Sequence, residues 1–400
     1  MADLTLELRH EIRPRGTFQS IALRGAGVGR MLAGHSLDFS FPGQSLPHPE
    51  VLDGPMFSAL MIAMRFADRL RLAGPITVQA LRNATAFQEA WVQMAPRMFH
   101  PVEIAPEGLV EPAHAPQDRA ILAFSGGLDG AFSAIRHARG LMGGGGYRLT
   151  HVMMVQGFDI GVDDRAGFEA LVRRVRPLLA ELELEPILVR TNAVYPNPAE
   201  RTRMVQPYYY SQAAQIAGMF HVLWRQFGQG LIGASDPYSH MVLPWASNAA
   251  TDHLLSSDRL QVVNDGAGFS RVQKAAFLVD HPTALRTLRV CHAVKPPANC
   301  GVCEKCVRTR LSFLAAGVAD PPCFDQPFEE AMIEGVDPSN PEDVRLTIAY
   351  AEAAGITASW LQRLKAHLET VIAPGADKIA EARRRRSSPG PRPRPAAAAG

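Results

Sequence analysis

Long apolar runs are missing from this 400-residue chain. No stretch approaches the ~20 consecutive apolar residues that a helix needs to cross a bilayer. The first residues, Met1-Ala2-Asp3-Leu4-Thr5-Leu6-Glu7, have neither the basic segment nor the apolar core of a secretory leader. The expectation is a cytoplasmic protein with no membrane partner. Cysteine is also scarce. There are five, an odd number with four crowded together, which argues against the paired-disulfide framework of a secreted domain.

Acidic residues are absent from the end of the chain. Residues 383–400 hold six arginines and no acids, so the rest of the chain carries −4 against a whole-chain charge of +2. The body is mildly acidic and makes no general case for nucleic-acid binding. The tail is Arg-rich and then Pro/Ala-rich, cannot bury apolar area, and is expected to be disordered over 376–400. Any contact with nucleic acid is expected only there. Elsewhere, 47% hydrophobic and 20% charged residues are ordinary for a globular chain of two or three compact units.

The most informative segment is Ser125-Gly126-Gly127-Leu128-Asp129-Gly130. It follows the apolar run Ala120-Ile121-Leu122-Ala123-Phe124 and precedes a helix-compatible stretch. Strand, glycine turn and helix in that order build an anion cradle from backbone N–H groups and the positive end of a helix. Adjacent glycines let the chain wrap closely around phosphate oxygens. Asp129 adds a carboxylate able to hold Mg²⁺ against them. The same string is also ordinary turn chemistry, and only its place between strand and helix raises the functional reading.

Residues 1–115 read as a separate α/β unit suited to substrate capture or dimerisation. It has strands over 4–12 and 18–23, a helix over 56–72, a strand over 76–81 and a helix over 86–94. Pro106, Pro112 and Pro116 suggest a linker over 106–116. From Arg119 onward, strand candidates at 119–124, 147–156, 185–190 and 230–234 alternate with helices at 131–140, 165–182 and 211–227. That alternation predicts an α/β fold with a parallel sheet and helices on both faces. Ligands on such sheets bind beyond the carboxyl ends of the strands. There the sequence places Gln156 and Gly157, then Asn192, then Ser235 and Asp236. Each also has a plainer role as a turn former, and the acids Asp159, Asp163 and Asp164 as helix caps.

Cys291, Cys300, Cys303 and Cys306 stand as C-x8-C-x2-C-x2-C. Four thiolates at that spacing can meet one tetrahedral Zn²⁺, which would be structural for want of an open coordination position. An iron–sulfur cluster and four unligated buried thiols are the other readings. Lys305, Arg308 and Arg310 stand close enough to offset thiolate charge, and a helix is expected over 305–316. Cys323 is the odd thiol.

The glycine loop and the cysteine cluster together resemble the PP-loop ATP pyrophosphatases. Among them the chain is most similar to 7-cyano-7-deazaguanine synthase and to longer relatives with an extra N-terminal domain. The likeness covers roughly 119–320 and continues through Arg271-Val272-Gln273-Lys274, Asn264-Asp265-Gly266-Ala267, Asn299-Cys300-Gly301 and 308–316 with Gly317. It departs at Gly130, where family loops carry serine, and the segment by which the synthase recognises its purine acid is not found.

The resemblance implies an ATP-binding domain over 116–322, with accessory domain 1–115 before it and a helical extension over 323–375 after it. It further implies a ligase with ATP, Mg²⁺ and Zn²⁺. A small-molecule carboxylate would attack the α-phosphate, pyrophosphate would leave, and ammonia or an amine would displace AMP to form a C–N bond. Ser125, Gly126, Gly127, Leu128, Asp129 and Gly130, with Gln156, Gly157, Asn192 and Ser235, would bind the nucleotide. Asp129, Lys274 and Arg271 would act on the reacting phosphates. No glutaminase signature accompanies them, so free ammonia or an amine is the expected donor. The alternatives are a PP-loop enzyme that modifies tRNA or protein, and a nucleotide-binding regulatory module whose loop is weakened at Gly130. A homodimer is compatible with either.

Overall fold

The computed structural model describes residues 3–25, 36–111, 115–193, 208–292, 297–336 and 340–378. The tail from residue 379, including its six arginines, lies outside them.

Alternating apolar residues near the start form three antiparallel strands, β1 (Asp3–Arg13), β2 (Gly16–Arg24) and β3 (Ser36–Pro42). Helix α1 (Asp53–Phe66) follows, then β4 (Arg69–Thr77), α2 (Val78–Met94) and β5 (Glu103–Val110). Three local expectations are corrected here. The helix expected through residue 72 stops at Phe66, because Leu70 and Leu72 alternate with Arg69 and Arg71 and pair with β1 in parallel. The strand expected over 76–81 ends at Thr77, whose side chain accepts the Ala80 N–H and caps α2. The linker expected from residue 106 begins later, since β5 runs to Val110 at the sheet edge, where a proline N–H is not missed.

The second half keeps the strand–helix rhythm read from the sequence. It runs β6 (Ala120–Ala123), α3 (Leu128–Ala138), β7 (Leu149–Gln156), α4 (Arg165–Glu181), β8 (Glu185–Thr191), α5 (Tyr208–Val222), β9 (Gln229–Gly233) and β10 (Gln261–Asp265). Helices α6 (Arg271–Val279), α7 (Pro282–Thr287), α8 (Glu304–Ala315), α9 (Pro341–Ala353) and α10 (Ser359–His367) complete it.

Among the described residues, all ten strands belong to one sheet, in the order β10-β9-β6-β7-β8-β3-β2-β1-β4-β5. It is mostly parallel. β6, β7, β8, β9 and β10 are mutually parallel, β1 pairs with β4 and β4 with β5 in parallel, and the antiparallel pairs are β1–β2, β2–β3 and β3–β8. Residues 3–110 therefore extend the same sheet as residues 120–265. They share its core as well. Leu4, Phe41, Phe57 and Met61 pack in one cluster with Ile121, Met153, Val189 and Phe220. Helix α1 is buried along nearly its whole length and lies against α5, so closely that a Cβ on Gly218 would meet Ser58 Oγ at 2.0 Å.

The other face of the sheet carries a second cluster, with Leu122, Val152 and Met154 under α3, α4 and the segment holding Cys291 and Cys306. A third cluster joins Val272 of α6 and Val307 and Leu311 of α8 to Val344, Trp360 and Leu364 of the C-terminal helices. Among the described residues, no helix is long and apolar enough to cross a membrane.

Candidate functional site

From β6 the chain crosses to β7 and β8 on one side and returns to β9 and β10 on the other. The carboxyl end of β6 is thus the point where strand order reverses, the place where open α/β sheets leave a crevice. Residues 125–130 occupy it. Gly126 has φ +77°, a left-handed turn that needs glycine, and its carbonyl accepts the Arg289 N–H at 2.8 Å. Gly127 is the N-cap of α3, so the loop runs into the helix N-terminus.

A cleft of about 1110 Å³ opens there. Ser125, Gly127, Leu128, Asp129, Gly130, Ser235 and Arg271 all line it. Lys274 sits behind the wall, fully buried, with Nζ 3.2 Å from Asp129 Oδ1 and donating to the Ala234 carbonyl. Arg271 lies 3.4 Å from the other Asp129 oxygen and donates to Thr309 Oγ1 at 2.9 Å. The capping box formed by Ser270 and Gln273 starts α6 there and sets both cations one helical turn apart.

Gln156, Gly157 and Asn192 are placed elsewhere. The Gln156 amide is buried and donates to the carbonyls of Gly161 and Val162. Gly157 has φ +115° and packs against Thr191, whose carbonyl oxygen would stand 1.8 Å from a Cβ. Asn192 joins β8 to β3, accepting the Asp38 N–H at 2.7 Å and donating to the Ser36 carbonyl at 3.1 Å. These three are not among the described residues that line the cleft, and their contacts lie at the ends of β7 and β8. Asp164 caps α4 by accepting the Gly167 N–H at 3.0 Å, while Asp159 lines the cleft.

Gly130 packs close to the Phe124 ring. A Cβ there would approach Phe124 Cδ2 to 3.1 Å. A bulky ring just before the loop and a glycine within it are one packing solution.

Asp236, which the sequence sets at a strand end, lines the cleft with Arg289, Arg308 and Asp343 from more distant segments. Asp236 accepts the Val242 N–H at 3.1 Å and an N–H of Asn340 at 3.4 Å. Burial, with Asp343 and Asp129 nearby, pushes its carboxyl above the usual range against the pull of the Val242 N–H and Arg308. Arg308 lies 2.9 Å from Glu304 and 3.4 Å from Asp343. Burial disfavours its charge, but Asp343, Glu304, Asp129 and Asp236 outweigh that and hold its pKa above the ordinary value. Farther out, Met94 and Met98 beside α2 face Tyr209 and Trp245, whose rings are 5.3 Å apart. The N-terminal half and the C-terminal helices therefore both contribute walls.

The four cysteines converge. Their sulfurs lie within 4.8 Å of one another, Cys291 to Cys303 at 3.8 Å and Cys300 to Cys306 at 3.9 Å. Zn–S bonds of ~2.3 Å put tetrahedral sulfurs ~3.8 Å apart, so the set could bind a metal ion such as zinc. The Cys303 N–H donates to Cys300 Sγ at 3.2 Å, and Asn299 Oδ1 accepts the N–H groups of Val290 and Cys291. Gly301 adopts φ +77°, and the buried Arg310 lies beside it, stacked on Phe324 at 4.2 Å. Of the three cations expected to offset thiolate charge, Arg310 stays by the cluster, while Lys305 and Arg308 line the cleft. Cys323 is buried outside the cluster, its thiol pushed up to about 12 chiefly by burial.

Comparison with family models, with curated proteins and with solved structures gives no significant match.

Proposed function

We propose that the chain is an ATP-dependent ligase of the PP-loop pyrophosphatase type, working at the carboxyl end of β6. One observation carries the reading: residues 125–130 run from β6 into the first turn of α3 at the strand-order reversal, and Asp129 meets Lys274 and Arg271 there.

The parts have a division of labour. The N–H groups of the loop and the N-terminus of α3 would hold the β- and γ-phosphates, where charge grows as the bond to the α-phosphorus breaks. Mg²⁺, when bound, would neutralise those oxygens, and Asp129 would be the carboxylate that holds it. Arg271 would stabilise the departing pyrophosphate, and Lys274 would hold Asp129 in orientation. A carboxylate oxygen of the second substrate forms a bond to the α-phosphorus as the bond to the pyrophosphate oxygen breaks. The nitrogen of ammonia or an amine then bonds to the acyl carbon, and AMP leaves. The cleft volume of about 1110 Å³ leaves room for a second molecule beside a nucleotide, toward Tyr209 and Trp245. Zinc in the four-cysteine set would be structural, with no coordination position left open.

The test is a panel of carboxylic acids with ATP, Mg²⁺ and ammonium, read by nucleotide analysis. AMP and pyrophosphate formed with one acid class support the reading, and ADP with phosphate overturns it. ATP bound without turnover by any acid points to the regulatory module. Asp129→Ala should lower turnover by at least about 100-fold, the scale on which a single charge-stabilising group acts. The fold should survive, as judged by an unchanged circular dichroism spectrum.

A further inference from the structure

Helix α8 begins inside the cysteine cluster. Cys303 is its N-cap and Cys306 lies in its first turn. Its first two turns therefore have two sides. One carries Cys306 among the sulfurs, and the other carries Glu304, Lys305 and Arg308 on the cleft wall.

Arg308 is flanked by two carboxylates, with Nε 2.9 Å from Glu304 and Nη1 3.4 Å from Asp343 of α9. The side chain reaches the cleft that also holds Asp129 and Arg271. A guanidinium confined between two carboxylates at the cleft wall is arranged to meet an oxyanion with little further loss of side-chain entropy.

A second link runs through the backbone. Arg289, two residues before Cys291, donates its N–H to the Gly126 carbonyl. Asn299, the residue before Cys300, accepts the N–H groups of Val290 and Cys291 and donates to the Leu288 carbonyl at 3.0 Å. One hydrogen-bonded segment thus ties the cysteine turn to the loop that opens α3. A third link is Thr309, whose hydroxyl accepts from Arg271.

We infer that Arg308 binds an oxyanion in the cleft, and that the metal-holding turn is the element that positions both Arg308 and the 125–130 loop for it. The ligand class is a phosphate or carboxylate oxygen facing Asp129 and Arg271. The inference rests on reading the cleft as a nucleotide site, and its test separates the two.

Full-length protein is prepared with its metal, and ATP and pyrophosphate binding are measured by calorimetry. Arg308→Met should weaken both by about 10- to 100-fold, the size of one lost charge-assisted hydrogen bond. Metal content should be unchanged, and Arg308→Lys should recover part of the loss. Weakened binding of ATP and pyrophosphate alike assigns the oxyanion to phosphate. If nucleotide binding is unchanged but the KM for the acid substrate rises by the same factor, the oxyanion is the carboxylate.

Chelation under reducing conditions should raise amide hydrogen exchange in residues 125–130 and 288–292 while exchange in β6 and β7 stays slow. Arg308→Met that leaves both nucleotide affinity and acid KM unchanged overturns the binding role. Unchanged exchange at 125–130 after metal removal overturns the positioning role. If chelation unfolds the whole protein, with β6 and β7 exchanging as fast as the loop, the cysteine turn is a general staple and that role is likewise overturned. If the metal-loaded wild type binds neither ATP nor pyrophosphate, the nucleotide reading fails, and loop exchange still decides the coupling.

Discussion

Gly157 and Gly130 both follow a strand closely in the sequence, but Gly157 sits at the end of β7 and Gly130 in the first turn of α3. At Gly157 both the backbone, φ +115°, and the space, with Thr191 oxygen 1.8 Å from a Cβ, demand glycine. Gly157→Ala should destabilise the protein by about 3 kcal/mol or more, since positive-φ strain and a backbone clash add. Chemical denaturation measures this, and a loss below about 1 kcal/mol would contradict the packing described. Asp252 supplies a pH signature. It is fully buried, accepting from Ser247 Oγ, Asn264 Nδ2 and the Asn248 N–H, and burial outweighs these bonds to raise its carboxyl to about 6. An acid with a raised folded pKa binds more protons folded than unfolded, so its ionisation opposes folding as pH rises. Its contribution should fall between about pH 4 and pH 6, by about 3 kcal/mol for a shift near two units. Denaturation midpoints of the wild type minus those of Asp252→Asn should show that slope; a pH-independent difference would refute it.

Elements whose burial follows a local period were legible. β6, α3, β7, α4, β8 and β9 match their expected spans to within a few residues, because apolar residues in each recur with the period of the element. β3, β5 and β10 were missed. β10 is five residues long, with Gln261 and Asn264 in it, and its pairing is specified by β9 next to it. Helix α1 was read too long because an all-round buried helix has no polar face to mark where it stops. Helix α8 was legible as a helix from 305, yet its two-sided role was not. Which of its residues face sulfur and which face the cleft depends on where α6 and α9 pack against it.

At the scale of the molecule, the N-terminal 110 residues are half of one sheet, and α1 shares a core with α5. A fragment lacking residues 1–111 should therefore expose the α5 face and the β3-pairing edge of β8. It should aggregate or bind hydrophobic dyes strongly. A soluble fragment that melts cooperatively would show that the second half is cored by itself. Composition and local spacing determined the α/β class, the glycine turn at residues 125–130 and the four-cysteine group, because each is written in neighbouring residues. Only the tertiary structure decided that Arg289, Arg308 and Asp343 line the cleft at that turn, and that Gln156, Gly157 and Asn192 are not among its described lining residues. The physical reason is burial. Where a polar side chain points at a strand end depends on which distant segment covers it, and strand order and helix packing set that over separations of a hundred residues or more.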